Sequence, residues 1–314
     1  MNDLSKESVT WLTIDENSEH QRIDNFLVKA LKGVPKSHIY RILRSGEVRI
    51  NSRRIDATYK LQNGDKMRIP PIRVAQPRKP ENAVAGTPRL AGSIIYEDDA
   101  LLALDKPSGM AVHGGSGVSR GVIEQLRLER PQSTFLELVH RLDRETSGVL
   151  LVAKKRSALI KLHEAMREGQ LEKRYFALVK GKWRNEKQHV RLALTKYVNA
   201  SGERRVNVDE AGQVAHTIFT LQQSWSDFSL LEAELKTGRT HQIRVHLAHL
   251  QFPIAGDDKY GDFTWNKILN KRGLKRMFLH AGEMVGAHPL TGEILHLNAP
   301  LPLELQLFLD TLLA

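Results

Sequence analysis

The excess positive charge of this chain is confined to sixty residues. Between His20 and Lys79 stand 15 Lys or Arg and 4 Asp or Glu. Of the 47 basic and 36 acidic residues in all, the rest of the chain keeps 32 of each. A single solvated surface scatters its charges. This separation predicts a basic module joined to a balanced one, within 314 residues that suffice for two domains. A module of this sign suits a polyanion. Nucleic acid is the first partner to weigh, and an anionic membrane surface is the competitor.

Periodicity supports the division. In "QRIDNFLVKAL" (Gln21 to Leu31), Ile23, Phe26, Leu27 and Leu31 recur at helical spacing. "VPKSHIYRILRSG" predicts a second helix, with Ser37 as its cap, Ile39, Ile42 and Leu43 inward, and Gly46 closing it. "EVRINSRRI" alternates and turns at Asn51-Ser52, and "YKLQNGDKMRIP" turns at Asn63-Gly64. The module is therefore small and α/β, spanning residues 20–80. "PRKPENAVAGTPRLAG" is rich in proline and small residues, so 81–91 is expected to be a linker.

From residue 92 to 314 the pattern changes. "SIIYED", "ALLALDK", "GVLLVAKK", "KRYFALVKGKW", "HTIFTLQQ" and "FSLLEAEL" predict strands. "GVIEQLRLER", "SALIKLHEAMREG", "THQIRVHLAHL" and "APLPLELQLFLDTLL" predict helices. Strands and helices do not alternate regularly. The fold class is α+β, an antiparallel or mixed sheet with flanking helices.

Cysteine is absent, which removes disulfides, thiolate catalysis and cysteine-ligated metal. The first 26 residues are polar and of mixed charge, so no signal peptide is expected. No apolar run reaches the ~18 residues of a membrane span. No HExxH, Walker or GxGxxG sequence occurs, and the histidines of "THQIRVHLAHL" do not have zinc spacing. Neither a metal nor a cofactor is expected.

Three stretches are dense in chemistry. "HRLDRETSG" (His140 to Gly148) precedes the apolar run "VLLVA". Asp143 there either satisfies its own loop backbone or is a carboxylate held on a platform for catalysis. "KTGRTHQIRVH" (Lys236 to His246) carries Arg239, His241 and Arg244. It is either a solvated helix face or a site for phosphate at a helix start. Arg244 lies beside apolar Ile243, and a partly buried arginine needs a carboxylate partner, for which Asp143 is a candidate. In "EKRYFALVKG", alternation puts Tyr175, Ala177 and Val179 on one face, with Lys173 and Arg174 nearby. Tyr175 is either a core tyrosine or a ring offered to a flat ligand such as a base. The glycine-rich "HGGSGVSRG" (His113 to Gly121) has the composition of an active-site loop.

Taken together and in order, "LDKPSGMAVH", "HRLDRETSG", "KRYFALVKG", "GRTHQIRVH" and "FLHA" resemble the pseudouridine synthases that act on large-subunit (23S) ribosomal RNA. The likeness runs from about Gly92 to the C-terminus. The segment His20–Lys79 resembles the RNA-binding module named after the fourth small-subunit ribosomal protein. That resemblance implies a catalytic domain with a long mixed, mainly antiparallel central sheet and flanking helices. It also implies roles for particular residues. Asp143 would be the catalytic aspartate, Tyr175 the active-site tyrosine, and Arg244 the aspartate's basic partner. Arg141 would enter the space left by a displaced nucleotide, and Leu279 would form the pocket wall. His140, Arg239 and His241 would border the substrate, and Lys36, Arg41, Arg44, Arg53 and Arg54 would contact RNA from the module. The chain would act in the cytoplasm as a monomer, on 23S rRNA or its assembly precursors, without a cofactor. The rivals are a nuclease, or a non-catalytic rRNA-binding or ribosome-assembly protein.

Overall fold

The computed structural model describes residues 8–31, 33–72, 89–114 and 120–313. It divides into two compact units, Met1–Pro88 and Arg89–Ala314. In the first, strand β1 (Thr10–Thr13) precedes helices α1 (Ile23–Ala30) and α2 (Lys36–Arg44), then strands β2 (Arg49–Ile50) and β3 (Lys66–Ile69). The sheet runs β1-β3-β2, antiparallel throughout. Ile23, Leu27, Leu31, Ile39, Ile42 and Leu43 close the core between the helices and this sheet. β1 lies upstream of the expected boundary; four residues of "TWLT" are too few for a period to be read. Ser37 does not cap α2, which starts one residue earlier behind Pro35. Asn51 and Ser52 both have positive φ, and the amides and carbonyls of Ile50 and Arg53 bond reciprocally across them. That is the tight hairpin turn the sequence predicts.

The expected linker at 81–91 needs correction at its end. Leu90 is fully buried in the second unit's core, and its amide donates to the Glu129 carboxylate. Residues 81–88 lie outside the described ones. An isolated leucine among prolines and alanines gives no period, so its burial was invisible in the pattern.

The second unit is built on a ten-stranded sheet and a separate two-stranded one. In chain order come β4 (Ile94–Glu97), β5 (Leu101–Lys106), α3 (Val122–Glu129), β6 (Glu137–Leu138), β7 (Ser147–Ala153), α4 (Arg156–Arg167), β8 (Glu172–Lys180) and β9 (Lys187–Arg191). There follow β10 (Leu194–Val198), β11 (Arg204–Val208), β12 (His216–Ser224), β13 (Phe228–Leu235), α5 (Gln242–His249), α6 (Phe263–Lys271), β14 (Leu279–Ala287), β15 (Ile294–Asn298) and α7 (Leu303–Leu313). The main path is β4-β5-β7-β14-β8-β13-β12-β9, with β15 on β14 and β6 on β7, while β10 and β11 form a separate hairpin. Only β7 and β14 run parallel, so the sheet is mixed and mainly antiparallel.

Alternation divides the strands between two cores. Leu150 and Val152 of β7 face one side with Tyr175, Ala177 and Val179 of β8. Val149, Leu151 and Ala153 face the other. Helices α3 and α5 cover the first face through Leu126, Ile243 and Leu247. α4 covers part of the second through Leu162, while α6 and α7 add Leu269, Leu305 and Phe308 to a further cluster.

The parallel contact of β7 with β14 depends on a glycine. Gly148 has φ +107°, and a Cβ there would lie 2.1 Å from the Ala281 carbonyl oxygen. Gly148→Ala combines backbone strain with a backbone clash. It is expected to destabilise the second unit by about 3–4 kcal/mol. Urea or thermal unfolding reads this directly, and an unchanged midpoint would mean that the strands part here without cost.

Candidate active site

Asp143 stands in a loop that is held from several sides. β6 and β7 form a hairpin, with Leu138 opposite Val152, and the Val139 amide donates to Leu151 at 3.0 Å. Within the loop, Leu142 is buried in the core and the Thr146 amide donates to the Asp143 carbonyl at 3.2 Å. The turn after β5 fixes the loop's far side. Gly109 N–H donates to the Arg144 carbonyl at 2.9 Å, Arg144 Nε returns a bond to the Gly109 carbonyl at 2.9 Å, and Ser108 Oγ donates to the Glu145 carbonyl at 2.8 Å.

Lys106 completes this clamp from inside. It is fully buried, and Nζ donates to the carbonyls of Pro107, Met110 and Arg144 at 2.8, 2.8 and 3.1 Å. Burial, with Arg276 nearby, pulls its pKa down to about 7, and the three carbonyls offset the cost of its charge. Arg276 also reaches Ser147 Oγ at 2.7 Å, and His280 Nδ1 lies 2.9 Å from the same oxygen. Neither Lys106 nor Arg276 was distinguished by the sequence reading, because a lysine at a strand end is ordinarily solvated.

Arg244 comes to Asp143 from 101 residues away, on the first turn of α5. Its Nη1 lies 3.1 Å from Asp143 Oδ2. The other edge of the guanidinium is bidentate to Asp257, Nε to Oδ2 at 2.8 Å and Nη2 to Oδ1 at 2.7 Å. Burial opposes the charge of Arg244, but the bonds it donates to Asp257 and the charges of Asp257 and Asp143 outweigh it and raise its pKa. The Tyr260 ring lies under the guanidinium at 5.2 Å.

Asp257 is the principal residue that sequence reasoning missed. It is fully buried, and its Oδ1 also accepts the amides of Lys259 and Tyr260 at 2.8 and 3.0 Å. Burial raises its pKa, and the hydrogen bonds and charge of Arg244 more than reverse that, leaving it lowered. α6 steadies this loop: Asn266 accepts from the Gly256 amide and donates to the Asp257 carbonyl, both at 2.8 Å. The available signal was the acidic "GDDKYGD" after the apolar "FPIA". Nothing in it separated buried Asp257 from Asp258, whose side chain is 80% exposed.

These groups border a cavity of about 300 Å³, at the lower end of small-ligand pockets. Asp143, Tyr175, Arg244, Leu279, His140, Arg141, Arg239 and His241 all line it. Tyr175 and Leu279 are buried on neighbouring strands, Leu279 pairing with Ala177. Burial, and then the charge of Asp143, raises the Tyr175 phenol and keeps it protonated. His140 Nε2 accepts the Leu151 amide at 3.1 Å, and burial lowers that imidazole to about 4. His241 caps α5 in a left-handed conformation at φ 54°, a strained geometry for a non-glycine residue. Its Nδ1 lies 2.8 Å from the Tyr260 hydroxyl and its Nε2 3.7 Å from Asp143. Burial lowers His241 as well, with Asp143 opposing. Both imidazoles are therefore neutral at pH 7, polar walls rather than cations.

Arg141 and Arg239 are exposed at the rim. A second groove of about 410 Å³ meets the cavity at Asp143 and adds His113, Glu203 and Lys259. Of the glycine-rich loop, residues 115–119 lie outside the described ones. Lys36, Arg41, Arg44, Arg53 and Arg54 belong to the first unit, and all five are exposed. On α2, Lys36, Arg44 and Arg41 fall within an arc of roughly 140°, and Ile39 and Ile42 lie on the other side of the helix.

Chemically, the site offers one carboxylate oriented by a permanently charged arginine, an aromatic wall, and a basic rim. Residues 100–249 match the family model described as RNA pseudouridylate synthase, and residues 21–66 match the S4 domain. The ribosomal large subunit pseudouridine synthase C of Haemophilus influenzae is 51% identical over 310 residues, covering 97% of this chain and 95% of that protein. Its namesake in Escherichia coli K12 is 52% identical over 300 residues, covering 94% and 93%. Among solved structures, human RNA pseudouridylate synthase domain containing 4 aligns with a TM-score of 0.58 at 26% identity, over 71% of this chain and 94% of that one.

Proposed function

Because the chain belongs to the RNA pseudouridylate synthases, in the ribosomal large-subunit type, we propose that it isomerises selected uridines of 23S ribosomal RNA to pseudouridine. The observation that carries this reading is the Asp143–Arg244 pair at 3.1 Å in a cavity walled by Tyr175 and Leu279. The targets are several separated uridines near the peptidyl-transferase region. The substrate is the rRNA or an assembly precursor, met in the cytoplasm by a monomer. Among the described residues no helix is long and apolar enough to cross a membrane.

The reaction breaks the N1–C1′ bond, turns the base, and joins C5 to C1′. N1 gains the proton that C5 loses, so the product is an isomer. No redox change occurs, and the chemistry asks for no cofactor. The uridine must first leave its stack, which costs a few kcal/mol. Arg141, Arg239 and the exposed basic face of α2 support that step through phosphate contacts. The flipped base then lies against the Tyr175 ring, with Leu279 at the pocket wall. Asp143 acts at the sugar. It either bonds C1′ or takes the C2′ proton, and Arg244 fixes its direction for both.

The test uses unmodified large-subunit rRNA. After incubation, pseudouridines are mapped by carbodiimide labelling and reverse-transcription stops. Stops at discrete uridines are the expected result. Tight binding without any stop, on this RNA and on total cellular RNA, would leave a non-catalytic binding protein. Chain cleavage would indicate a nuclease.

A further inference from the structure

β8 carries a second group into the cavity. Its alternation buries Lys173, Tyr175 and Ala177 on one face. Arg174 points the other way and pairs with Glu172 and Glu283. Lys173 is 6% exposed and lines the same cavity as Tyr175, beside Val139, Met166 and Leu235. Two residues along a strand set the two side chains roughly 7 Å apart, the reach of one base stacked on the ring.

No carboxylate, carbonyl or hydroxyl of the described residues accepts a hydrogen bond from Lys173. This is unlike Lys106, whose ammonium meets three carbonyls. Among the described residues, the charge that weighs on Lys173 is the like charge of Lys236, itself paired with Glu234. Burial, with that repulsion, lowers its pKa. Lys173 is largely buried, yet its ammonium has no protein acceptor, and a group placed so persists where water or a ligand in the cavity supplies one.

We infer that Lys173 Nζ donates to a ring carbonyl of the flipped uracil and stabilises the base as it departs from the sugar. When N1–C1′ breaks, the electron pair stays with the base. The uracil becomes an anion with its charge shared among N1, O2 and O4. The deficit at C1′ is met by Asp143, through a bond to C1′ or by removing the C2′ proton so that the C2′–H pair becomes a C1′=C2′ bond. When C5 joins C1′, the bond from Asp143 to C1′ breaks, or Asp143 returns its proton to C2′ as the C1′=C2′ pair is used up; C5 then loses its proton, N1 is protonated, and the charge on the carbonyls is gone. A donor aimed at O2 or O4 therefore binds most strongly where the charge is greatest, between cleavage and reattachment. Phosphate is the less suitable acceptor, because Lys173 shares the cavity lining with apolar Val139, Met166 and Leu235 while the arginines Arg141 and Arg239 stand at the exposed rim.

This inference rests on the proposed activity. Lys173→Met keeps the length and removes the charge. With an rRNA fragment holding a mapped target uridine, single-turnover conversion is expected to slow by about 10²-fold, with RNA affinity within about threefold of the native protein. The deciding measurement replaces that uridine by 2-thiouridine or 4-thiouridine, since sulfur is the weaker acceptor. The native protein is expected to lose about tenfold on one of the two, and the Lys173→Met protein to lose nothing more on either. Lys173→Gln, a neutral donor, is expected to recover part of the rate, and it serves in place of Lys173→Met should that variant not fold. A variant at the native rate, a loss confined to RNA affinity, or thio discrimination unchanged by the substitution would overturn the role of Lys173. Absence of product with the native protein would instead overturn the activity itself.

Discussion

Asp143→Asn is expected to lower single-turnover pseudouridine formation by a factor on the order of 10⁴ or more, with RNA affinity unchanged within about twofold. The substitution is nearly isosteric. The amide carbonyl oxygen can still accept from Arg244 Nη1, which now lies 3.1 Å from Asp143 Oδ2. The loop keeps its anchors, because Lys106, Ser108 and Gly109 bind its backbone carbonyls and not the Asp143 side chain. What disappears is the chemistry. An amide neither attacks C1′ nor takes a proton from C2′. The basic first unit and the rim arginines are untouched, so capture of RNA persists. Near-native conversion by the asparagine protein would remove Asp143 from the mechanism. A collapse of RNA affinity would mean that its role is to bind.

The second large effect is expected at Asp257, which touches no substrate in this reading. Asp257→Ala leaves the buried Arg244 guanidinium with two donors unpaired, since Nε and Nη2 both depend on that carboxylate. It also leaves the Lys259 and Tyr260 amides without their shared acceptor. Removing one partner of such a pair costs about 3–5 kcal/mol. For a unit of this size that corresponds to a fall in Tm of roughly 10 °C. The rate is expected to fall as well, by about 10²-fold, because only the exposed Asp258, 3.6 Å from Nη2, then remains beside Asp143 to hold the plane of Arg244. Asp257→Asn, which keeps one acceptor, is expected to lie between the two.

Acidity provides an independent reading of the same pair. The pKa of Asp257 is lowered in the fold from an ordinary value of 3.8. A depressed carboxylate contributes its stability in full above the unfolded value and loses it as the pH falls through the folded one. The gap in Tm between native and Asp257→Ala proteins is therefore expected to be widest above about pH 5 and to narrow below about pH 4. A gap constant from pH 7 to 3 would assign the destabilisation to lost packing and not to the ion pair.

Much of the site was legible along the chain, and the reason is local. The loop carrying Asp143 is defined by "HRLDRETSG" before an apolar run, and the hairpin β6–β7 follows from it. The inward face of Tyr175 is a consequence of strand alternation, whatever the strand pairs with. The same alternation includes Lys173, but a lysine on an inward face reads as an exception until its neighbours are known. α6 was not foreseen: "FTWNKILNK" exposes Phe263 and Ile268 and buries only Leu269, so it has no clear apolar stripe. β14 was noticed only as the short motif "FLHA", since its two glycines interrupt the pattern.

By itself the sequence determined that a basic module precedes a balanced domain and that the domain is a sheet with flanking helices, and it singled out Asp143, Tyr175 and Arg244 as the residues proposed here to carry the chemistry. Charge, period and motif are properties of consecutive residues, and they survive without knowledge of the fold. Only the tertiary structure decided that Arg244 reaches Asp143 across 101 residues, that Asp257 holds Arg244 from behind, and that Lys173 stands in the same cavity without an acceptor. Each of these is a statement about which charges share a buried volume. Burial makes an ionic partner necessary, but it does not name one. Here the choice among many aspartates was made by the order of the strands and by the loop that α6 holds against the first turn of α5.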